Sequence, residues 1–138
     1  MTAEALVLVY DASVNLGRPA VIDAIASVLN SLGDPLEKLW IEDANAGRRT
    51  FDIAEMTHAA AEPVDFRYLW AIPRSERRNS KSRWLTTALI DNVAPDSRIL
   101  FFARPQGPTP GFDIHRTLLT SLVQAGFTPR YGYAYAGQ

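Results

Sequence analysis

Strand-length apolar runs alternate with helix-like segments along this chain, and that alternation constrains the fold more than any other feature. Residues 6–10 and 99–103 are continuously apolar, which is typical of strands covered on both faces. Between Pro19 and Gly33, apolar residues recur at helical spacing, so a helix is predicted there. The pattern predicts the order β-α-β-α-β-α-β-α-β, with strands at residues 6–10, 38–42, 66–72, 98–103 and 128–135.

Strands that alternate with helices normally pair in parallel through right-handed crossovers. We therefore predict a single α/β domain over residues 1–138, a Rossmann-like three-layer sandwich with a mostly parallel five-stranded sheet. Three further helices are predicted, at about residues 51–61, from Ser80 or Ser82 to Pro95, and from Ile114 to Gly126. Strands 6–10 and 98–103 belong in the sheet interior and strand 66–72 near an edge. The last strand is either parallel or antiparallel at an edge.

Composition limits the classes of protein that this chain can represent. Its 138 residues are 47% hydrophobic and 21% charged, an ordinary globular mixture in one domain of common size. The absence of cysteine excludes disulfides and thiolate sites. No apolar run is long enough to span a membrane and the N-terminus lacks a basic leader, so we expect a cytoplasmic protein. Neither a P-loop nor a dinucleotide-binding motif occurs, and we expect no cofactor.

Basic residues are concentrated in one loop of a chain whose net charge is −1. Residues 74–83 contain five of the 14 basic residues and one of the 15 acidic residues. In a parallel sheet this loop joins the other loops that follow strand ends, which predicts an anion-binding rim. Loops that are polar only because they are solvated are an equally good interpretation. The candidate ligand-binding residues of this rim are Asp11, Asn15, Arg48, Arg49, Arg74, Arg77, Arg78, Lys81 and Arg104.

Three classes of function are compatible with these residues. The leading hypothesis is a non-catalytic binding domain whose basic rim holds an acidic protein surface or a phosphate-bearing ligand, with an inhibitor or immunity-type protein as one version. The second is a metal-dependent nuclease or phosphatase that uses Asp11 with Asp91 or Asp113. The third is a small nucleic-acid-binding module. We favour the first because no complete catalytic set is visible, and His58 and His115 lack the spacing of a metal pair.

The tyrosines of the last predicted strand allow two interpretations. Tyr131, Tyr133 and Tyr135 share one face of that strand, where they would either pack beneath a helix or form a surface for stacking and protein contact. Large apolar side chains on one strand face usually pack in the core, so packing beneath a helix is the expectation.

Two parts of the chain resemble known families. Asp11 at a strand end, Asn15-Leu16 after it, and Lys81 ten residues before Asp91 look like the NYN/PIN nucleases, which implies carboxylates around a divalent metal. That family has further acidic residues after the fourth strand, where this chain has Ala103-Arg104-Pro105. Residues 96–127 are similar to the end of class I methyltransferases, whose glycine-rich first motif is missing here. Neither resemblance is adopted.

Overall fold

All described strands of the computed structural model belong to one antiparallel sheet. The structure describes residues 3–43, 47–52, 66–74, 86–105 and 112–137. Within these residues seven strands pair in the order β3-β2-β4-β5-β6-β1-β7, and every pair is antiparallel. The strands are β1 Ala3–Asp11, β2 Leu36–Glu42, β3 Arg48–Asp52, β4 Tyr68–Pro73, β5 Thr87–Asp91, β6 Ser97–Pro105 and β7 Tyr131–Gly137; the helices are α1 Pro19–Ser31 and α2 Asp113–Gln124.

The predicted parallel, Rossmann-like sandwich is wrong. The sheet contains a run of neighbours in the order β2, β4, β5 and β6. These strands also follow one another along the chain, except that β3 comes between β2 and β4 in sequence and lies on the outer side of β2. Consecutive neighbouring strands run antiparallel, whereas a parallel pair requires a crossover segment, usually a helix. The sequence prediction assumed such crossovers on both faces of the sheet.

One of the assumed crossover helices is a strand. Residues 87–91 form β5, where a helix was predicted to continue to Pro95. Ala88 and Ile90 are buried while Thr87, Leu89 and Asp91 are half-buried, which is the period of two of a strand. Short apolar runs fit both periods, and here pairing with β4 and β6 decides between them.

Two other segments also differ from the prediction. Residues 48–52 form β3, where a loop and the start of a helix were expected; residues 53–61 of that predicted helix lie outside the described residues. Strand β4 is not near an edge but lies between β2 and β5. Its side chains alternate with the period of a strand, because Leu69 and Ala71 are buried and Tyr68, Trp70 and Ile72 are half-buried.

The predicted ends of both described helices are confirmed, and each ends in the same hydrogen-bonded motif. After α1, the N–H of Gly33 donates to Asn30 O at 3.0 Å and that of Asp34 to Leu29 O at 3.0 Å. After α2, Gly126 and Phe127 donate to Val123 O and Leu122 O in the same way. The glycines have φ values of 71° and 95°, a conformation that residues with a Cβ rarely adopt.

Both described helices lie on one face of the sheet. Alternate residues of β1, Leu6, Leu8 and Tyr10, join the buried core together with apolar residues of α1 and α2. Strands β1 and β6 are interior, as predicted, and β7 is the antiparallel edge strand that the sequence left open. In the described part of the chain neither helix is long and apolar enough to cross a bilayer.

Candidate functional site

The sheet face away from both described helices carries a cluster of aromatic rings. Trp40 of β2 and Trp70 of β4 are cross-strand partners, with ring centroids 4.4 Å apart. Tyr68 lies 5.3 Å from Trp70, and the Arg48 guanidinium lies 5.3 Å above the Trp40 ring. The three rings are half-buried, and the Arg48 side chain is 66% exposed. We call Trp40, Arg48, Tyr68 and Trp70 the aromatic cluster.

An apolar row connects this cluster to the opposite edge of the sheet. Successive cross-strand partners lead from β2 to β7 through five strand spacings, about 24 Å. The row consists of Trp40, Trp70, Leu89, Phe101, Val7 and Tyr133.

The tyrosines of β7 are exposed and do not pack beneath either described helix, so that expectation is wrong. Tyr131, Tyr133 and Tyr135 are 60%, 53% and 46% exposed and pair with Val9, Val7 and Ala5, on the face away from the helices. The helix-side residues of β7 are small: Gly132, Ala134 and Ala136. The sequence showed that the tyrosines share a face, but the positions of α1 and α2 decided which face it is.

Asp11 and Asn15 organise the turn that follows β1. The Asp11 carboxylate accepts hydrogen bonds from Ser13 N–H at 2.9 Å, Ser13 O–H at 2.7 Å and the Arg130 guanidinium at 2.6 Å. The bonds from Ser13, followed by the one from Arg130, hold the pKa of Asp11 far below its usual range. The Asn15 side-chain oxygen accepts from Gly17 N–H at 2.8 Å. Both side chains therefore stabilise the turn by accepting hydrogen bonds from its N–H groups.

The structure does not bring the predicted rim residues together. Asp11 and Arg48 lie at one end of the strands, but β1 and β3 are five strand spacings apart, about 24 Å. Arg74, which is exposed, follows β4 at the other end, where Arg104 pairs with Glu4. Arg49 lies in β3, while Arg77, Arg78 and Lys81 lie outside the described residues. Antiparallel strands alternate in direction, so the loops that follow successive strands lie at opposite ends of the sheet. Anion binding by these residues stays a prediction.

The other carboxylates of the nuclease hypothesis have local partners of their own. Asp91 accepts a hydrogen bond from Val93 N–H at 2.9 Å, and Asp113 lies 3.4 Å from Arg116 on α2. Nowhere in the described ranges do three histidine, aspartate or glutamate side chains come close enough to hold a metal ion. The aromatic cluster, in contrast, was missed by sequence reasoning. Its signal was the alternation of Tyr68, Trp70 and Ile72.

His115 is a buried titratable residue between α2 and the sheet. It is 1% exposed, its Nε2 lies 3.0 Å from Glu4 O, and its Nδ1 is buried without a hydrogen-bond partner. Phe102 and Phe112 contact its ring edge-on. Burial lowers the pKa of His115, against the opposing effect of the hydrogen bond to Glu4.

We expect the free energy of unfolding to fall on acidification, because the unfolded chain takes up a proton at His115 more readily than the folded protein does. A lowered folded-state pKa means that the full stability is present above about pH 6.5 and is lost as the pH falls towards that pKa, by up to about 1.4 kcal/mol per pH unit. Urea unfolding between pH 7 and pH 5 measures this. His115→Gln keeps an N–H donor but does not titrate, so its curve should be flatter. Identical pH dependence in both proteins would contradict the assignment.

Comparison with known proteins gives a fold relationship only. No protein-family model and no curated protein matches the chain. The Pseudomonas aeruginosa T6SS protein PA0821 has a similar structure, with a TM-score of 0.53 over 99% of this chain, at 14% sequence identity. The chain spans 42% of that protein's length. At this identity the likeness supports the fold and leaves function to the residues on the surface.

Proposed function

We propose that this chain is a non-catalytic protein-binding domain whose partner docks on the aromatic cluster. The observation that carries the proposal is the composition of the cluster. Tryptophan, tyrosine and arginine are the residues that most often dominate binding energy in protein interfaces. Here they lie together, partly exposed, on the sheet face away from both described helices.

A protein partner fits this face better than a nucleic acid. Tyr68 would offer a ring for base stacking, but its cross-strand neighbours are Glu42 on β2 and Asp91 on β5. Two carboxylates beside the ring repel a phosphate backbone, whereas a protein surface can present donors to them. The half-buried Leu89 and Phe101, which follow Trp70 in the apolar row, add area of the kind that protein partners bury.

The T6SS likeness supports a more specific version of the proposal. We extend the T6SS association of that neighbour to this chain, combine it with the inhibitor or immunity version of the sequence hypothesis, and propose a cytoplasmic T6SS-associated protein that binds a cognate protein. The partner's acidic character, which the charge of segment 74–83 predicts, remains part of the proposal. Arg48 and Arg74 are exposed cations that such a partner can contact, whereas Glu42 and Asp91 disfavour an acidic surface directly over Tyr68.

Photo-crosslinking in the source cells tests where the partner docks. Benzoylphenylalanine placed at Trp40 should give a discrete protein adduct. The same group at Val123, exposed on α2, is the control and should not give that adduct. An adduct containing nucleic acid, or the same products from both positions, would refute the proposal.

Calorimetry with the protein identified in that adduct gives the size of the effect. Trp40→Thr and Arg48→Ala should each weaken binding about thirtyfold, since a hot-spot residue contributes about 2 kcal/mol, while Val123→Thr should leave the Kd unchanged. Circular dichroism verifies that all variants fold. An acidic partner should also associate more slowly as salt is added, whereas a salt-independent rate would contradict that part of the proposal.

A further inference from the structure

Strand β7 is an edge strand with none of the usual protection against pairing. Among the described strands it pairs only with β1. Natural edge strands are commonly shielded by charged side chains, proline, bulges or short length. The seven residues Tyr131–Gly137 contain no charge and no proline, and they pair with β1 without a register shift. The outer side of β7 is therefore a template for another strand.

Alternate residues of β7 direct their backbone groups outward. The backbone oxygen of Val9 accepts a hydrogen bond from Arg130 N–H at 2.8 Å. The backbone oxygen of Val7 faces Gly132, and a Cβ atom added to that glycine would lie 3.0 Å from it. The carbonyl groups of the odd-numbered residues of β1 therefore point towards β7. Hydrogen-bonded and non-hydrogen-bonded pairs alternate in an antiparallel ladder. The N–H and C=O groups of Gly132, Ala134 and Ala136 consequently point away from β1.

We propose that two copies of this chain associate by antiparallel pairing of their β7 strands about a two-fold axis at Ala134. This register is the one that overlaps all seven residues of both strands. It places the outward groups of Ala134 opposite those of the second copy's Ala134, and Gly132 opposite the second copy's Ala136. The two sheets then continue as one across the dimer.

The side chains favour a second copy as the occupant of this edge. In this register Tyr133 lies opposite Tyr135 of the second copy, and cross-strand aromatic pairs stabilise sheets. Within one copy these two rings already stack, with centroids 6.1 Å apart. No charge within β7 opposes an identical strand, and the flanking Arg130 is paired with Asp11 at 2.6 Å. The dimer edge is also separate from the aromatic cluster, so both surfaces can be occupied together.

Sedimentation velocity over a range of protein concentrations tests the dimer. Wild type should shift from the 15.3 kDa monomer towards twice that mass. Ala134→Pro removes an outward N–H, and Tyr133→Lys places a charge against the second copy's tyrosine. Each should weaken dimerisation at least tenfold, while Val93→Lys, an exposed control between β5 and β6, should not. If Ala134→Pro fails to fold by circular dichroism, Tyr133→Lys decides.

A disulfide tests the register, because the natural chain has no cysteine. Ala134→Cys places two thiols across the two-fold axis, where paired Cα atoms are about 5.5 Å apart, within the range that a disulfide spans. Mild oxidation should give a covalent dimer with Ala134→Cys and not with Val93→Cys. Equal crosslinking of both, or a wild type that stays monomeric at all concentrations, would overturn the proposal.

The dimer and the proposed function can fail separately. A monomeric wild type whose Trp40 adduct is lost in Ala134→Pro would mean that β7 accepts a strand of the binding partner. That result overturns the second-copy proposal and leaves the protein-binding function intact. A dimer with no Trp40 adduct would overturn the proposed docking on the aromatic cluster and leave the second-copy proposal intact.

Discussion

Replacement of Phe102 by alanine should lower the free energy of unfolding by about 3–5 kcal/mol, the usual cost of deleting a buried phenylalanine ring. Phe102 is 0% exposed, lies between Leu6 and Ala88 in the sheet, and contacts His115 edge-on with centroids 5.5 Å apart. A cavity at that position cannot be filled without moving α2. Because a domain is stabilised by about 5–15 kcal/mol in total, urea unfolding should reveal the change readily.

The adjacent residue provides a matched control for this prediction. Phe101 has the same side chain in the same strand but lies on the face away from the helices, where it is half-buried. Phe101→Ala should therefore cost less than half as much as Phe102→Ala. Equal losses, or a greater loss from Phe101→Ala, would show that the core has been placed on the wrong face of the sheet.

Raising the pH from 10 to 12 should destabilise the protein by roughly 2 kcal/mol through Tyr10 alone. Tyr10 is 0% exposed, its O–H donates to Phe127 O at 3.3 Å, and burial raises its pKa to about 12. Below pH 10 the phenol is protonated in both states. Between the two pKa values the unfolded chain loses the proton that the folded chain retains, so stability falls as the pH rises.

Comparison with Tyr10→Phe isolates this contribution. The variant loses the hydrogen bond to Phe127, at a cost of about 1 kcal/mol near neutral pH, but its alkaline loss of stability should be smaller than that of the wild type. Urea unfolding measured between pH 8 and pH 12 gives both numbers. A titration of phenolate absorbance should also lack, in the variant, the tyrosine that ionises at the highest pH. Parallel pH curves for the two proteins would exclude Tyr10 as the source.

Part of this fold could be predicted from the sequence because its signals are local. Pro19 and Gly33 bound α1 and Gly126 ends α2, since proline fixes φ and glycine accepts a positive φ wherever the chain folds. The continuous apolar runs of β1 and β6 predicted interior strands, because such runs must be covered on both faces. For the candidate site, the sequence predicted Arg48 as a ligand-binding residue of an anion rim, which stays a prediction, and it showed that Tyr131, Tyr133 and Tyr135 share one face of a strand.

Strand direction and the choice of face were decided only by the tertiary structure. A run such as Ile99–Leu100–Phe101–Phe102 is apolar on both faces, so nothing local shows that Phe102 meets the helices and Phe101 does not. Buried antiparallel strands carry the same pattern as parallel ones, and five residues such as Thr87–Asp91 are too few to separate a period of two from a helical period. Antiparallel pairing then carried Arg74 and Arg104 to the end of the sheet opposite Asp11, and brought Trp40 beside Trp70, 30 positions apart in the sequence.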